Sequence, residues 1–90
     1  MIPISTSTSY IPYIVLDTAV AVGDSSNGFF SGPKIDRAFE DAKNILRIAC
    51  ENIGGDAVIS CDFELRDYSG GLNVIAFGTI VKYIESEATA

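Results

Sequence analysis

Histidine is absent from the chain, and cysteine occurs only twice. Without histidine, the usual general base at neutral pH, the commonest zinc ligand and every His-containing triad are missing together, which disfavours most hydrolase mechanisms. Cys50 and Cys61 are too few for a secreted disulfide scaffold and form no Cys-x-x-Cys pair. Basic residues are also scarce, six Lys and Arg against twelve Asp and Glu, and the resulting net charge of -6 repels a phosphate backbone. Nucleic acid is therefore not an expected partner. No apolar run approaches the roughly 18 residues of a membrane span, and residues 1–8 lack the basic start and apolar stretch of a secretory signal. A cytoplasmic protein with no membrane partner is the expectation. No glycine-bearing stretch has the Gly-x-Gly-x-x-Gly spacing or the Lys-Ser/Thr ending of a phosphate loop.

What the chain does have is apolar content, 48% of its 90 residues. A chain of this length suits one domain, Met1–Ala90, that buries only about 60–65% of the surface it exposes when unfolded. Such a domain gains from association.

Residues 13–22 read as a strand, with Ile14, Leu16, Thr18, Val20 and Val22 on one face at period two. Ahead of it, residues 4–10 alternate Ser with Thr and suit an edge strand or arm. Residues 23–32 have loop composition, although Phe29-Phe30 is unusual in a merely solvated loop. With Tyr10 and Tyr13 these rings either line an interfacial pocket or anchor the loop. Pro33 suits a first helical position, and Ile35, Ala38, Phe39, Ala42, Leu46, Ala49 and Ile53 repeat at helical spacing, widened by Ile45 and Ile48. Gly54-Gly55 supplies the stop.

Beyond the helix, Ala57, Ile59, Cys61, Phe63 and Leu65 alternate with Val58, Ser60, Asp62, Glu64 and Arg66, a strand whose first set should lie under the helix. The cluster at residues 67–71 is a turn, and residues 72–84 form a second, longer strand of a hairpin. If Tyr68 pairs with Gly71, then Val74, Ala76, Gly78 and Ile80 face the helix, and Ile75, Phe77, Thr79, Val81 and Tyr83 form a leftover apolar stripe. That stripe is the expected oligomer interface. Gly78 should allow close approach of the helix.

Chemistry-bearing candidates are few. Asp62 and Glu64 share a strand face and, with a residue from a neighbouring subunit, could hold a divalent cation; the alternative is an ordinary solvated face on which Arg66 pairs with Glu64. Cys50 and Cys61 are either buried packing residues or a reactive or soft-metal pair.

Several segments, in order, resemble the YbjQ-like family of small bacterial proteins labelled as a heavy-metal-binding domain. Ile4-Ser5-Thr6-Ser7-Thr8 is similar to that family's Thr-rich opening, and residues 13–23 to its first long strand. Gly54-Gly55-Asp56-Ala57-Val58-Ile59 resembles its Gly-Ala-Asn-Ala-Val-Val segment, and Phe77-Gly78-Thr79-Ile80-Val81 its closing Gly-Thr-Ala-Val strand. The resemblance implies a ring-like homo-oligomer, typically a pentamer. The chain departs from the pattern over residues 24–34, and the heavy-metal label meets a chain with no histidine and two separated cysteines.

The expectation is thus an α+β protein with a β-α-β-β core, one amphipathic helix packed on a small mixed sheet and a further N-terminal strand or arm. Its expected role is a non-enzymatic, homo-oligomeric binding module with a metal ion or small ligand held between subunits. A structural or protein-interaction subunit without ligand is the alternative, and an enzyme using inter-subunit carboxylates ranks last.

Overall fold

The protein is described by a computed structural model covering residues 1–24, 35–68 and 71–84. Most of the expected loop, with Phe29-Phe30, and Pro33 and the tail at 86–90 lie outside the described residues. Gly23 and Asp24 belong to the first strand rather than to the loop.

The described chain is β1 (Tyr13–Asp24), α1 (Ile35–Asn52), β2 (Ala57–Tyr68) and β3 (Gly71–Tyr83). They form the small α+β fold expected, a β-α-β-β chain whose three-stranded sheet has the order β1-β3-β2. Both pairings are antiparallel, so β1 and β2 run the same way with β3 inserted between them. The sheet expected as mixed is antiparallel throughout these strands. Its parallel component is the N-terminal arm, where Ile4 bridges Val58 on the outer edge of β2.

Four backbone hydrogen bonds seat that arm: Val58 N donates to Pro3 O, Ser5 N to Val58 O, Cys61 N to Ser5 O, and Ser60 N to Ser7 O. Arg47 on the helix adds a fifth tie, its Nε donating to Ile2 O at 3.2 Å. The arm thus satisfies edge groups of β2 that would otherwise be open to another strand.

The helix buries Ala38, Ala42, Leu46 and Cys50, one residue every four, with Phe39 and Ala49 flanking. Ile35, Ile45, Ile48 and Ile53, expected within the apolar stripe, are instead exposed, because a sheet of this width covers a narrower arc than the helix offers. Its end follows the hydrogen-bonding pattern of a Schellman stop. Gly54 N donates to Glu51 O and Gly55 N to Cys50 O, with Gly54 at a φ of 77°. The helix lies over β1 and β3 more than over β2.

Small residues set that preference. Ala19, Ala21 and Gly23 are the face of β1 turned to the helix, and a Cβ on Gly23 would overlap the Ala38 carbonyl oxygen. Gly78, expected to admit the helix, mainly makes room for β2: an added Cβ would lie 2.5 Å from Val58 Cγ1 and 3.1 Å from Cys61 Sγ, with Leu46 Cδ1 at 3.9 Å. Phe39 of the helix meets Phe63 of β2 with ring centroids 5.4 Å apart.

Each outer strand carries an irregularity. In β1 the register shifts between Val15 and Asp17, which seats Leu16 against the main core and breaks the face expected from Ile14 to Val22. In β2 it shifts between Ile59 and Asp62, with Ser60 at a φ of 52°. Val58, Cys61 and Phe63 therefore face the helix, whereas Ala57 and Ile59, expected beside Cys61, lie on the opposite face.

Candidate functional site

The hairpin register is the expected one: Tyr68 pairs with Gly71, and Val74, Ala76, Gly78 and Ile80 are buried on the helix side. The opposite face can then be read row by row across the sheet. Val20, Phe77 and Asp62 form one row from β1 through β3 to β2, and Val22, Ile75 and Glu64 form the next. Asp24, Asn73 and Arg66 follow as a polar row.

The outer face is thus apolar along β1 and β3 and acidic along β2. Val20 is 62% exposed, Val22 49% and Phe77 40%, and Ile75 is half-buried. Asp62 and Glu64 are exposed, with Asp62 Oδ1 accepting from Phe63 N at 3.0 Å. Two carboxylates on a solvated strand supply only part of the six to eight oxygens that a calcium-type ion takes. Among the described residues no three His, Cys, Asp or Glu side chains converge as a metal cluster.

Further along the same face the stripe disappears into the chain itself. Val81 is 0% exposed in a second small core with Ala57 and Ile59, flanked by Tyr13 and half-buried Tyr83, and Thr79 is half-buried. The carboxylate of Asp56 fastens this end, accepting from Tyr83 N at 2.8 Å, with Lys82 Nζ 3.9 Å away.

Between the arm and this second core lies a cleft of about 300 Å³. The chain must pass from the β2 edge to the β1 edge, and it does so over the outer face, leaving the space beneath. Ala57 and Ile59 form the floor, with Val58 between them along the strand, Tyr83 stands at one side, and Ser5, Ser7, Thr8, Ser9, Tyr10 and Ile11 form the roof and mouth. Local bonds hold the hydroxyls: Ser5 Oγ and Ser7 Oγ are 3.0 Å apart, Thr8 Oγ1 and Tyr13 Oη 3.1 Å, and Ile11 N donates to Ser9 Oγ at 3.0 Å. The cleft was missed in the sequence because alternating Ser and Thr also suits an edge strand.

Cys50 and Cys61 are buried free thiols in the main core. Burial pushes both thiols above their ordinary range; the Asp56 and Glu51 charges push Cys50 further, and a backbone hydrogen bond from Ser5 partly offsets the rise at Cys61. Such thiols are protonated and poor nucleophiles at neutral pH.

A helix-covered antiparallel sheet with an arm-roofed cleft and an exposed apolar outer face is the class that fold and site define. A solved structure shares the fold: a protein of unknown function from Pediococcus pentosaceus, described as belonging to the DUF74 family, superposes with a TM-score of 0.74 at 21% identity. The match covers 90% of this chain and 96% of that one. No family model and no curated protein matches the chain. Among the described residues no helix is long and apolar enough to cross a membrane.

Proposed function

We propose that the protein is a non-enzymatic, homo-oligomeric binding module of the YbjQ-like kind, with copies meeting on the outer face of the sheet. The observation that carries this reading is the pair of rows in which Val20 stands opposite Phe77 and Val22 opposite Ile75, apolar side chains that α1 on the other face does not cover. Three features support it. The exposed Ile14 and Val15 extend the apolar surface along β1, an edge strand of the three-stranded sheet. On the opposite edge, β2 already has the arm. The fold neighbour of the DUF74 family agrees with the segments that resemble YbjQ-like proteins, and that resemblance implies a ring, typically of five.

Joining one edge or face of a copy to a different surface of the next gives a heterologous contact, which closes into a ring when the rotation allows. The acidic β2 side, with Asp62 and Glu64, then lies beside the contact, where a neighbouring subunit would complete a cation site. Light scattering coupled to gel filtration tests the reading. A mass that is a multiple of 9.6 kDa at micromolar concentration is expected, and a monomer overturns it. Native mass spectrometry of the same sample reads subunit count and any retained metal or small molecule.

A further inference from the structure

The cleft beneath the arm is lined by residues of one chain. We infer that it binds an uncharged, hydroxyl-bearing ring of monosaccharide size. Its floor is apolar, since Ala57 and Ile59 of the second core line it. Its roof carries the hydroxyls of Ser7, Thr8 and Ser9. The volume, about 300 Å³, is at the small end of the range for ligand sites and suits a single ring.

Charge narrows the class. Among the described residues no Asp, Glu, Lys or Arg lines the cleft, so an ion would lose water and gain no counter-charge. The net charge of -6 further repels anions. A wholly apolar ligand fails for a different reason, because it would cover the roof hydroxyls without pairing them. A ring with hydroxyls at its edge and C–H groups on its faces satisfies both surfaces: its faces meet the floor and the Tyr10 and Tyr83 rings, and its edge meets the hydroxyls.

The hydroxyls are held ready. Each has one donor and two acceptor positions. Ser9 Oγ, accepting from Ile11 N, keeps its own proton to give, and the Thr8–Tyr13 pair uses one proton between two oxygens. Groups fixed by local bonds lose little further freedom on binding.

The test is an amide-resolved NMR titration of the full chain with D-glucose, D-galactose and myo-inositol, with glucuronate and glucosamine as charged counterparts. Saturable shifts are expected at Ser7, Ser9, Tyr10, Ile59 and Tyr83, with a Kd on the order of 1 mM, ordinary for about a dozen heavy atoms. The charged counterparts should bind more weakly. Tyr10→Ala, at a fully exposed position, should keep the dispersed spectrum and lose affinity about three- to tenfold, whereas Tyr10→Phe should retain it. No saturable shift with any neutral probe up to about 50 mM overturns the inference, as does equal or tighter binding of a charged counterpart or an unchanged affinity in Tyr10→Ala. Cleft shifts that follow protein concentration instead of probe would assign the cleft to a second copy and overturn it too. The oligomeric reading fails separately, by light scattering alone.

Discussion

Val20 on β1 stands directly opposite Phe77 on β3, on the sheet face turned away from the helix, and both side chains are exposed. A charge placed there meets no buried neighbour within the chain, so Val20→Lys should change folding stability by no more than about 0.5 kcal/mol. Across an apolar contact between copies the same charge is desolvated and unpaired. The variant should therefore shift to monomer in light scattering while its thermal midpoint, measured at low protein concentration, stays near that of the parent. A variant that keeps the parent's assembled mass places the contact elsewhere.

Gly23 and Gly54 make opposite demands on glycine. At Gly23 the helix backbone occupies the place of a side chain, and at Gly54 nothing lies nearby but φ is positive. Gly23→Ala must push the helix off β1 and should cost about 3 kcal/mol or more. Gly54→Ala bears only the backbone penalty, about 1 kcal/mol. Urea unfolding of the two variants checks the order.

Arg47 ties the arm to the helix through the Ile2 carbonyl. Arg47→Met keeps the aliphatic stem and removes the donor. The arm bonds at Val58, Ser60 and Cys61 amides should then exchange with solvent about tenfold faster, as expected for the loss of roughly 1.4 kcal/mol of local stability. Amides at the centre of β3 should not respond. Equal acceleration everywhere would mean that Arg47 supports the whole fold rather than the arm.

The two thiols predict an alkaline limit. Their folded pKa values are raised, so the folded state keeps its thiol protons at a pH where the unfolded chain releases them. This contribution is fully present below the ordinary thiol pKa of about 8.5 and falls away as pH rises from there through the folded values, by at most about 1.4 kcal/mol per pH unit for each thiol. Relative to the parent, a Cys50→Ala, Cys61→Ala double variant should lose less stability between neutral pH and pH of about 10. Ellman's reagent should react slowly with the folded parent and quickly once urea is added.

Much of the fold could be read from residue order, and the exceptions have physical causes. The helix stop at Gly54-Gly55 and the pairing of Tyr68 with Gly71 carry local signals of glycine and period, and both stand. The irregularity at Ser60 has no compositional signal: Ile59-Ser60-Cys61 continues the alternation while the backbone inserts an extra residue, so Ala57 and Ile59 change faces. In β1 the strong β-formers Val20 and Val22 suggest an inner face, yet the space under the helix admits only Ala19, Ala21 and Gly23. For the candidate site, the outer position of Phe77 followed from register, whereas the burial of Val81 depends on the second core beside the crossing segment, a tertiary contact invisible to periodicity.

The central place of β3 carries a consequence for how the chain folds. Its pairing with β2 joins near neighbours in sequence, while its pairing with β1 joins Tyr13 to Tyr83. Closing that long loop is entropically expensive until the hairpin and helix exist to receive the strand. β1 should dock late, so Gly23→Ala should act chiefly by accelerating unfolding, while lesions near the 68–71 pairing should slow folding. Stopped-flow measurement of both arms of the chevron separates the two.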